Sequence, residues 1–331
     1  MKAMRVLVDA RAAARGLGTA TVVSQLFNEL ERQPGIAAER WQAAAGQRPW
    51  LGTFRRSGLF DLSPSLDWRT RGADVYHYLS NTVSVLPPGA SVVTVHDLFQ
   101  VASHRRRDRV MAALLLRGLS RCSVAVCVSG RTRDELLATD PALRDRVEVV
   151  PWGRRDYDIW RGERSHVVAF AGRASRKRSS LIPEIWERYL ARAANPPGLI
   201  VYARAGLEAA TERRLLALGA DVHFDASALG VADGLRYAQA LLLTSRQEGY
   251  GLPVVEAGEV GTPVVIGDDA DIAEEVVGAH CVRAATASPN GWVAALVQAC
   301  SMGPVDRPLK VPTWTEVGDA YADVYRRAAS R

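Results

Sequence analysis

Residues 241–266 read LLLTSRQEGYGLPVVEAGEVGTPVVI, and the order of residue types along this stretch sets the kind of fold to expect. An apolar run ends near Thr244-Ser245, a glycine-bearing loop follows, and a short helical pattern stops at Gly261 before a second apolar run at 263–266. Apart from Thr244-Ser245 closing the first and Pro263 opening the second, both runs are Val, Leu and Ile, as strands covered on both faces require. Working outward, the same alternation recurs along the chain. Strands are expected at 5–9, 75–78, 91–95, 124–128, 147–150, 167–171, 199–202, 241–244 and 263–266. Helical patterns cover 21–32, 106–119, 131–138, 182–193, 208–218 and 292–299. Repeated β-α alternation predicts an α/β fold of doubly wound parallel sheets.

A length of 331 residues suits two domains. The strand Val147-Glu148-Val149-Val150 runs into Pro151-Trp152-Gly153, and a polar stretch to about residue 164 precedes the next strand. A linker is therefore expected at 151–165, with domains at 1–160 and 161–312. Two such domains meeting edge to edge leave a cleft at the carboxyl ends of their strands, where α/β proteins bind ligands.

Composition excludes several classes. With 48% hydrophobic and 24% charged residues the chain is neither disordered nor fibrous. No apolar run approaches the roughly 18 residues of a membrane helix. The apolar start is broken by Asp9 and Arg11, which favours a first strand over a leader and a cytoplasmic location. The net charge of +6 arises from 42 basic and 36 acidic residues. Only Lys2, Lys177 and Lys310 are lysines, so 39 of the 42 are arginine. This balance suits an anionic ligand or surface without choosing one. Scattered basic residues with no aromatic platform argue against nucleic acid. The run His104-Arg105-Arg106-Arg107-Asp108-Arg109 opens a helix that rests weakly on anionic lipid at the inner membrane face, receives a phosphate-bearing acceptor or is simply solvated. Cys122, Cys127, Cys281 and Cys300 form no paired motif and read as reduced thiols.

Chemistry concentrates at 248–256. Gly249 and Gly251 let the backbone approach a ligand closely, and Pro253 fits the first position of the helix. Amides at the helix start suit anionic or sugar oxygens. Glu256 on the first turn and Glu248 on the preceding loop can point into one ligand space and accept hydrogen bonds from sugar hydroxyls. The competing reading is a strand-loop-helix corner whose carboxylates merely favour the helix N-terminus. Asp268, Asp269 and Asp271 crowd the loop after 263–266, an arrangement that invites a metal reading.

With seven residues between its two glutamates, EGYGLPVVEAGEVGTPVV closely resembles the signature of retaining GT-B glycosyltransferases of family four, the group 1 type. Further segments match in family order over about 280 residues. Asp9-Ala10-Arg11 with Gly16-Leu17-Gly18 resembles the first strand and glycine loop, and Thr19 stands where the branch usually carries arginine. Val93-Thr94-Val95-His96-Asp97-Leu98 is similar to the "HDL" segment of a mannosyltransferase-like branch. Val128-Ser129 and Val149-Val150-Pro151-Trp152-Gly153 resemble the "VS" and "VPxG" segments, Gly172-Arg173 to Lys177-Arg178 the diphosphate region, and Glu275-Val276-Val277-Gly278 the "EVVG".

The resemblance implies two Rossmann-like domains facing across a cleft, an acceptor side first and a nucleotide-sugar side second, with residues 313–331 as a helix crossing back. It implies transfer of a sugar, with retention and without metal or other cofactor, from a nucleoside-diphosphate donor to an acceptor hydroxyl. A GDP-mannose-like donor comes first, and UDP- and dTDP-sugars follow. The acceptor is a polysaccharide intermediate, glycolipid or secondary metabolite. Arg173 with Lys177 or Arg178 would neutralise the diphosphate, and Glu256 would hold the ribose. Glu248 would hold the transferred sugar, with His96 near it, and the amides of Gly249, Tyr250, Gly251 and Leu252 would line the donor. Gly16 and Gly18 would let the first domain close on the diphosphate or the acceptor. A same-fold epimerase or hydrolase and a silent nucleotide-sugar binder are the rivals.

Overall fold

The structure is a computed structural model, and it describes residues 2–9, 17–41, 72–79, 81, 87, 89–99, 101, 106–203, 206–224, 226–306 and 310–331. Its elements in chain order are β1 (Met4–Asp9), α1 (Leu17–Leu30), β2 (Ile36–Trp41), β3 (Val75–Tyr78), β4 (Ser91–Val95), α2 (Arg106–Leu119), β5 (Val124–Cys127), α3 (Gly130–Thr139) and β6 (Val147–Val149). They continue with β7 (His166–Phe170), α4 (Leu181–Leu190), β8 (Gly198–Tyr202), α5 (Ala209–Ala217), β9 (Asp221–His223), α6 (Ala228–Arg236) and β10 (Ala238–Leu243). The last are α7 (Leu252–Glu259), β11 (Val264–Gly267), β12 (Cys281–Ala284), α8 (Pro289–Met302) and α9 (Trp314–Ser330). The chain divides into two compact units, one made of Met1–Gly153 with Pro312–Arg331 and the other of Arg154–Val311.

In the first unit six parallel strands lie in the order β2-β1-β3-β4-β5-β6. The inner strands β3, β4 and β5 are buried along their whole length, as their continuous apolar runs require. The helix α9 belongs to this unit and packs on α1 and on β3 and β4. It starts from a capping box, in which Thr313 and Glu316 satisfy each other's backbone amides. Trp314, Tyr321 and Tyr325 are buried, and the Trp152 ring stacks at 6.0 Å on Trp314 and 6.1 Å on Tyr321. Gly153 admits the start of α9, since a Cβ there would lie 2.8 Å from the Trp314 backbone. At the centre of this packing is His77. Its Nδ1 lies 2.8 Å from the Tyr325 hydroxyl and its Nε2 2.8 Å from Thr94 Oγ1, which in turn lies 2.9 Å from the Tyr321 hydroxyl. Burial, helped by nearby His96, pushes His77 down to about 3, so the ring is neutral and donates through one nitrogen while accepting through the other.

In the second unit the order is β12-β11-β10-β7-β8-β9, again parallel throughout. Buried Arg164 organises one end of it. Its guanidinium donates to the carbonyls of Ala238 (2.8 Å), Val260 (3.0 Å) and Trp160 (3.2 Å) and to Thr262 Oγ1 (2.6 Å). Thr262 passes the contact on to the Leu235 carbonyl. A cation is thus set at the carbonyl ends of α6 and α7, where the helix dipoles favour positive charge.

The expected fold class, α/β with two doubly wound parallel sheets, is what the chain adopts. Three strands were not expected from the sequence: β2, β9 and β12. Each lies at the edge of its sheet, where one side of the strand faces solvent and the apolar run is interrupted by residues such as Glu39, Arg40, Asp221 and Arg283. Helix α6 was also missed, because two glycines break its pattern.

Replacing Tyr325 by Phe would strand a buried His77 nitrogen. The first unit should lose about 1–3 kcal/mol in urea denaturation, with the fold intact by circular dichroism.

Candidate functional site

Strand β7 opens the second sheet, and the chain then builds β8 and β9 on one side of it and β10, β11 and β12 on the other. The carboxyl ends of β7 and β10 therefore flank a topological switch point, where helices on opposite faces leave the sheet edge open to a ligand. The sequence-predicted residues of this unit gather there. After β7 come Gly172, Arg173 and a 3-10 turn, Ser175–Lys177. After β10 come Thr244 and the loop to α7.

Backbone contacts stitch these loops together. Ser179 Oγ receives the Gly172 amide at 2.9 Å and donates to the Gly172 carbonyl at 2.8 Å. Thr244 Oγ1 donates to the Lys177 carbonyl (2.8 Å), and the Arg246 amide to the Arg176 carbonyl (2.7 Å). The loop after β11 joins through Asp271, whose amide reaches Arg246 (2.7 Å) and whose carbonyl accepts from Glu248 (3.0 Å).

On this frame Lys177 Nζ lies 2.6 Å from Glu248 Oε1, and the glutamate is buried. Its neighbour Arg178 is held elsewhere. With a left-handed φ of 46°, it places Nη1 and Nη2 at 2.7 and 3.0 Å on the two oxygens of Asp269 and Nε at 2.7 Å on the Thr244 carbonyl. The Trp292 ring lies 5.6 Å from the guanidinium carbon. Arg173 is exposed and touches the Leu207 carbonyl at 3.2 Å. Of the neighbouring carboxylates, Asp268 accepts from the Thr286 amide (3.1 Å) and hydroxyl (2.6 Å), while Asp269 serves Arg178. The acidic loop is thus divided among separate structural contacts.

Gly251 turns the chain into α7 with φ 96° and ψ 40°, a left-handed conformation that suits glycine. Gly249 precedes it, and the Tyr250 ring is buried, its phenol pushed up by that burial and by Glu275. Two expectations are corrected here. The helix starts at Leu252, so Pro253 takes its second position, and Glu256, the fifth residue, lies in the second turn instead of the first. Glu256 is half-buried, and among the described residues its carboxyl makes no hydrogen bond or ion pair. Burial, with the Glu259 charge adding, pushes it up to about 7, and Arg155 opposes the shift. Glu259 and Arg155 were missed in the sequence. The interval of three from Glu256 to Glu259 was the available signal.

In the first unit His96 follows β4. Its amide donates to Asn81 Oδ1 at 2.9 Å, its Nε2 lies 3.2 Å from the Leu79 carbonyl, and Trp152 lies 5.5 Å away ring to ring. Asn81 also donates to the Asp97 carbonyl (2.8 Å) and carboxylate (3.2 Å), so it braces the whole turn. Burial first of all lowers the His96 pKa. Gly18 lies in the first turn of α1, whereas Gly16 falls outside the described residues. Arg106 and Arg109 are exposed at the start of α2; Arg105 and the Arg107 side chain fall outside the described residues. Among the described residues no helix is long and apolar enough to cross a membrane.

Residues 165–302 match the family model "Glycosyl transferases group 1". No curated protein sequence matches the chain. Among solved structures it resembles WaaG, a glycosyltransferase involved in lipopolysaccharide biosynthesis (TM-score 0.66, 16% identity, 99% of each chain covered). It also resembles a UDP-forming trehalose-phosphate synthase from Burkholderia xenovorans in complex with glucose-6-phosphate (TM-score 0.62, 12% identity, 98% of this chain and 100% of that one). TarM is similar at a TM-score of 0.55 and 9% identity, with 80% of this chain covered; the chain spans about half of TarM, 54% of its length. An S. aureus TarM variant was solved with UDP, fondaparinux and alpha-GlcNAc-glycerol (TM-score 0.52, 11% identity, 80% and 55% covered). At these identities the likeness shows a shared fold.

Two expectations follow for the second unit. A Cβ at Gly251 would sit 2.8 Å from Ile272 Cγ2, so Gly251→Ala should cost on the order of 1–3 kcal/mol through strain and crowding. Thermal denaturation measures it. Because the folded state holds the Glu256 proton more tightly than the unfolded chain, this group's contribution to stability is full below about 4.5 and is lost as pH rises through about 7. Glu256→Gln should therefore gain Tm relative to the parent as pH rises from 5 to 8; a pH-independent difference would contradict the assignment.

Proposed function

We propose that this chain, whose residues 165–302 match the group 1 glycosyltransferase model, is a retaining glycosyltransferase that moves a sugar from a nucleoside-diphosphate donor to an acceptor hydroxyl. The observation that carries the reading is the Lys177–Glu248 pair set over the switch point of that domain, with Glu256, whose carboxyl makes no hydrogen bond or ion pair among the described residues, on the helix that follows.

In this reading the donor diphosphate takes Lys177 and exposed Arg173, which neutralise the charge that grows on the departing phosphate. Arg178 is assigned a different task, since Asp269 and the Thr244 carbonyl already engage its guanidinium. It holds the loop that presents Lys177. Glu248 exchanges part of its contact with Lys177 for hydroxyls of the transferred sugar, and Glu256 accepts from the ribose. The backbone at Gly249, Tyr250, Gly251 and Leu252 lines the donor, and the resemblance assigns donor roles also to His96, Gly16 and Gly18. No side chain is assigned as nucleophile. The leaving phosphate itself takes the acceptor proton on the same face of the sugar, which preserves the anomeric configuration. The protein's contribution is then position and charge compensation. The "HDL" segment makes a GDP-mannose-like donor the first choice; TarM bound to UDP and the UDP-forming synthase make UDP-sugars the main competitor.

The reading is tested by thermal shift with GDP, UDP, dTDP and ADP and their common sugars. One nucleotide should stabilise the protein, and Lys177→Ala should weaken it about 10- to 100-fold by removing a charged contact. With that donor and a competent acceptor, NMR should show the donor's anomeric configuration in the product. Absence of binding to all four nucleotides and their sugars would overturn the reading.

A further inference from the structure

Glu256 and Glu259 stand three residues apart on α7, so their carboxyls share one face of the helix. The segment entering the second unit passes over that face and is fastened to it. The Arg155 amide donates to Glu259 Oε1 at 2.6 Å, while its Nε and Nη2 donate to Oε2 at 3.1 and 2.9 Å. The Tyr157 ring covers the guanidinium at 4.9 Å. Further along, Ile159 meets Gly261 so closely that a Cβ there would lie 2.8 Å from Ile159 Cγ2, and Arg164 takes the Val260 carbonyl. Arg155 is thus spent geometrically on Glu259, which is buried, and reaches Glu256 only through its field.

We propose that Arg155, through its clasp on Glu259, is a positioning residue for Glu256, setting the charge that this carboxyl presents to the ribose hydroxyls of a nucleotide-sugar. The inference rests on the donor reading given above. Ribose hydroxyls donate to a carboxylate, and a carboxylate offers them more acceptor sites than the protonated acid does. Binding therefore favours ionised Glu256, and its proton leaves for solvent while no other bond changes. The charges acting on Glu256 are Glu259 on its own helix and Arg155 above it, and Tyr157 feels both glutamates. Of the elements packed against α7, α6 carries Asp233 and Arg236, and β11 carries no ionisable residue. His280, which meets the Val254 carbonyl of α7 at 3.2 Å, is kept from protonating by burial.

The arrangement gives two substitutions of opposite sign. Arg155→Met leaves Glu259 uncompensated one turn from Glu256 and should move the midpoint of nucleotide-sugar binding up by roughly half a pH unit or more. Glu259→Gln removes the repelling charge and frees the guanidinium, so the midpoint should move down. The probes are GDP-mannose and UDP-glucose, whose diphosphates are fully ionised across the range. Affinity is measured by calorimetry from pH 5.5 to 8.5, in two buffers of different ionisation heat that count the proton released. The parent should release a proton near pH 6.5, and Glu256→Gln should release none. If Arg155→Met weakens binding equally at every pH, Arg155 is only structural and the inference fails; Glu259→Gln decides the same point should the first variant not fold. Binding by the parent without proton release also overturns it, and leaves the transferase reading standing. Binding of neither probe nor of any other nucleotide-sugar removes that reading and this inference together.

Discussion

Every strand of both sheets runs parallel to its neighbours, and this constraint governs the rest of the molecule. Parallel strands need crossovers, the crossovers put helices on both faces, and all carboxyl ends emerge along one edge. Where the build order reverses, at β7 and β10, the loops diverge and side chains from separate βα turns come together. Lys177 and Glu248 are 71 residues apart in sequence and 2.6 Å apart in space for this reason. Neither loop could hold the pair alone; the hydrogen bonds from Thr244 and Arg246 to the β7 loop fix their distance.

The division of labour among cations follows their chemistry. Arginine dominates the chain, and the structure uses its planar fork where several fixed acceptors must be met at once. Arg178 meets a carboxylate and a carbonyl, Arg155 clasps Glu259, and Arg164 gathers the carbonyls of Ala238 and Val260. Lys177 is one of three lysines, and under the proposed function it stands where a single mobile charge can change partners as a ligand arrives. A guanidinium locked in a bidentate pair could not do so at similar cost.

What was readable in the sequence divides along burial. Inner strands such as β3, β4 and β5 announced themselves because both faces are apolar, whereas β2, β9 and β12 sit at sheet edges and carry charges on their wet side. The loop glycines and the spacing of Glu248 and Glu256 were legible because they are local in sequence. Glu259 escaped although it lies one turn from Glu256, since its meaning depends on Arg155, 104 residues away. Asn81 and His77 escaped for the same reason: their partners come from other strands and from α9. That Arg178 is engaged by Asp269, 91 residues on, while Lys177 meets Glu248, could not be read at all.

The first unit is discontinuous in the chain, and this bears on the order in which the protein can be made. Its sheet is complete by residue 149, yet His77 and Thr94, which bond to each other, find their remaining hydroxyl partners in Tyr325 and Tyr321. A ribosome therefore finishes the whole second unit while the first still holds unmatched polar groups against its own hydrophobic interior. The nascent chain should acquire its protease-resistant parts out of order, the later domain maturing first and the earlier one waiting for α9.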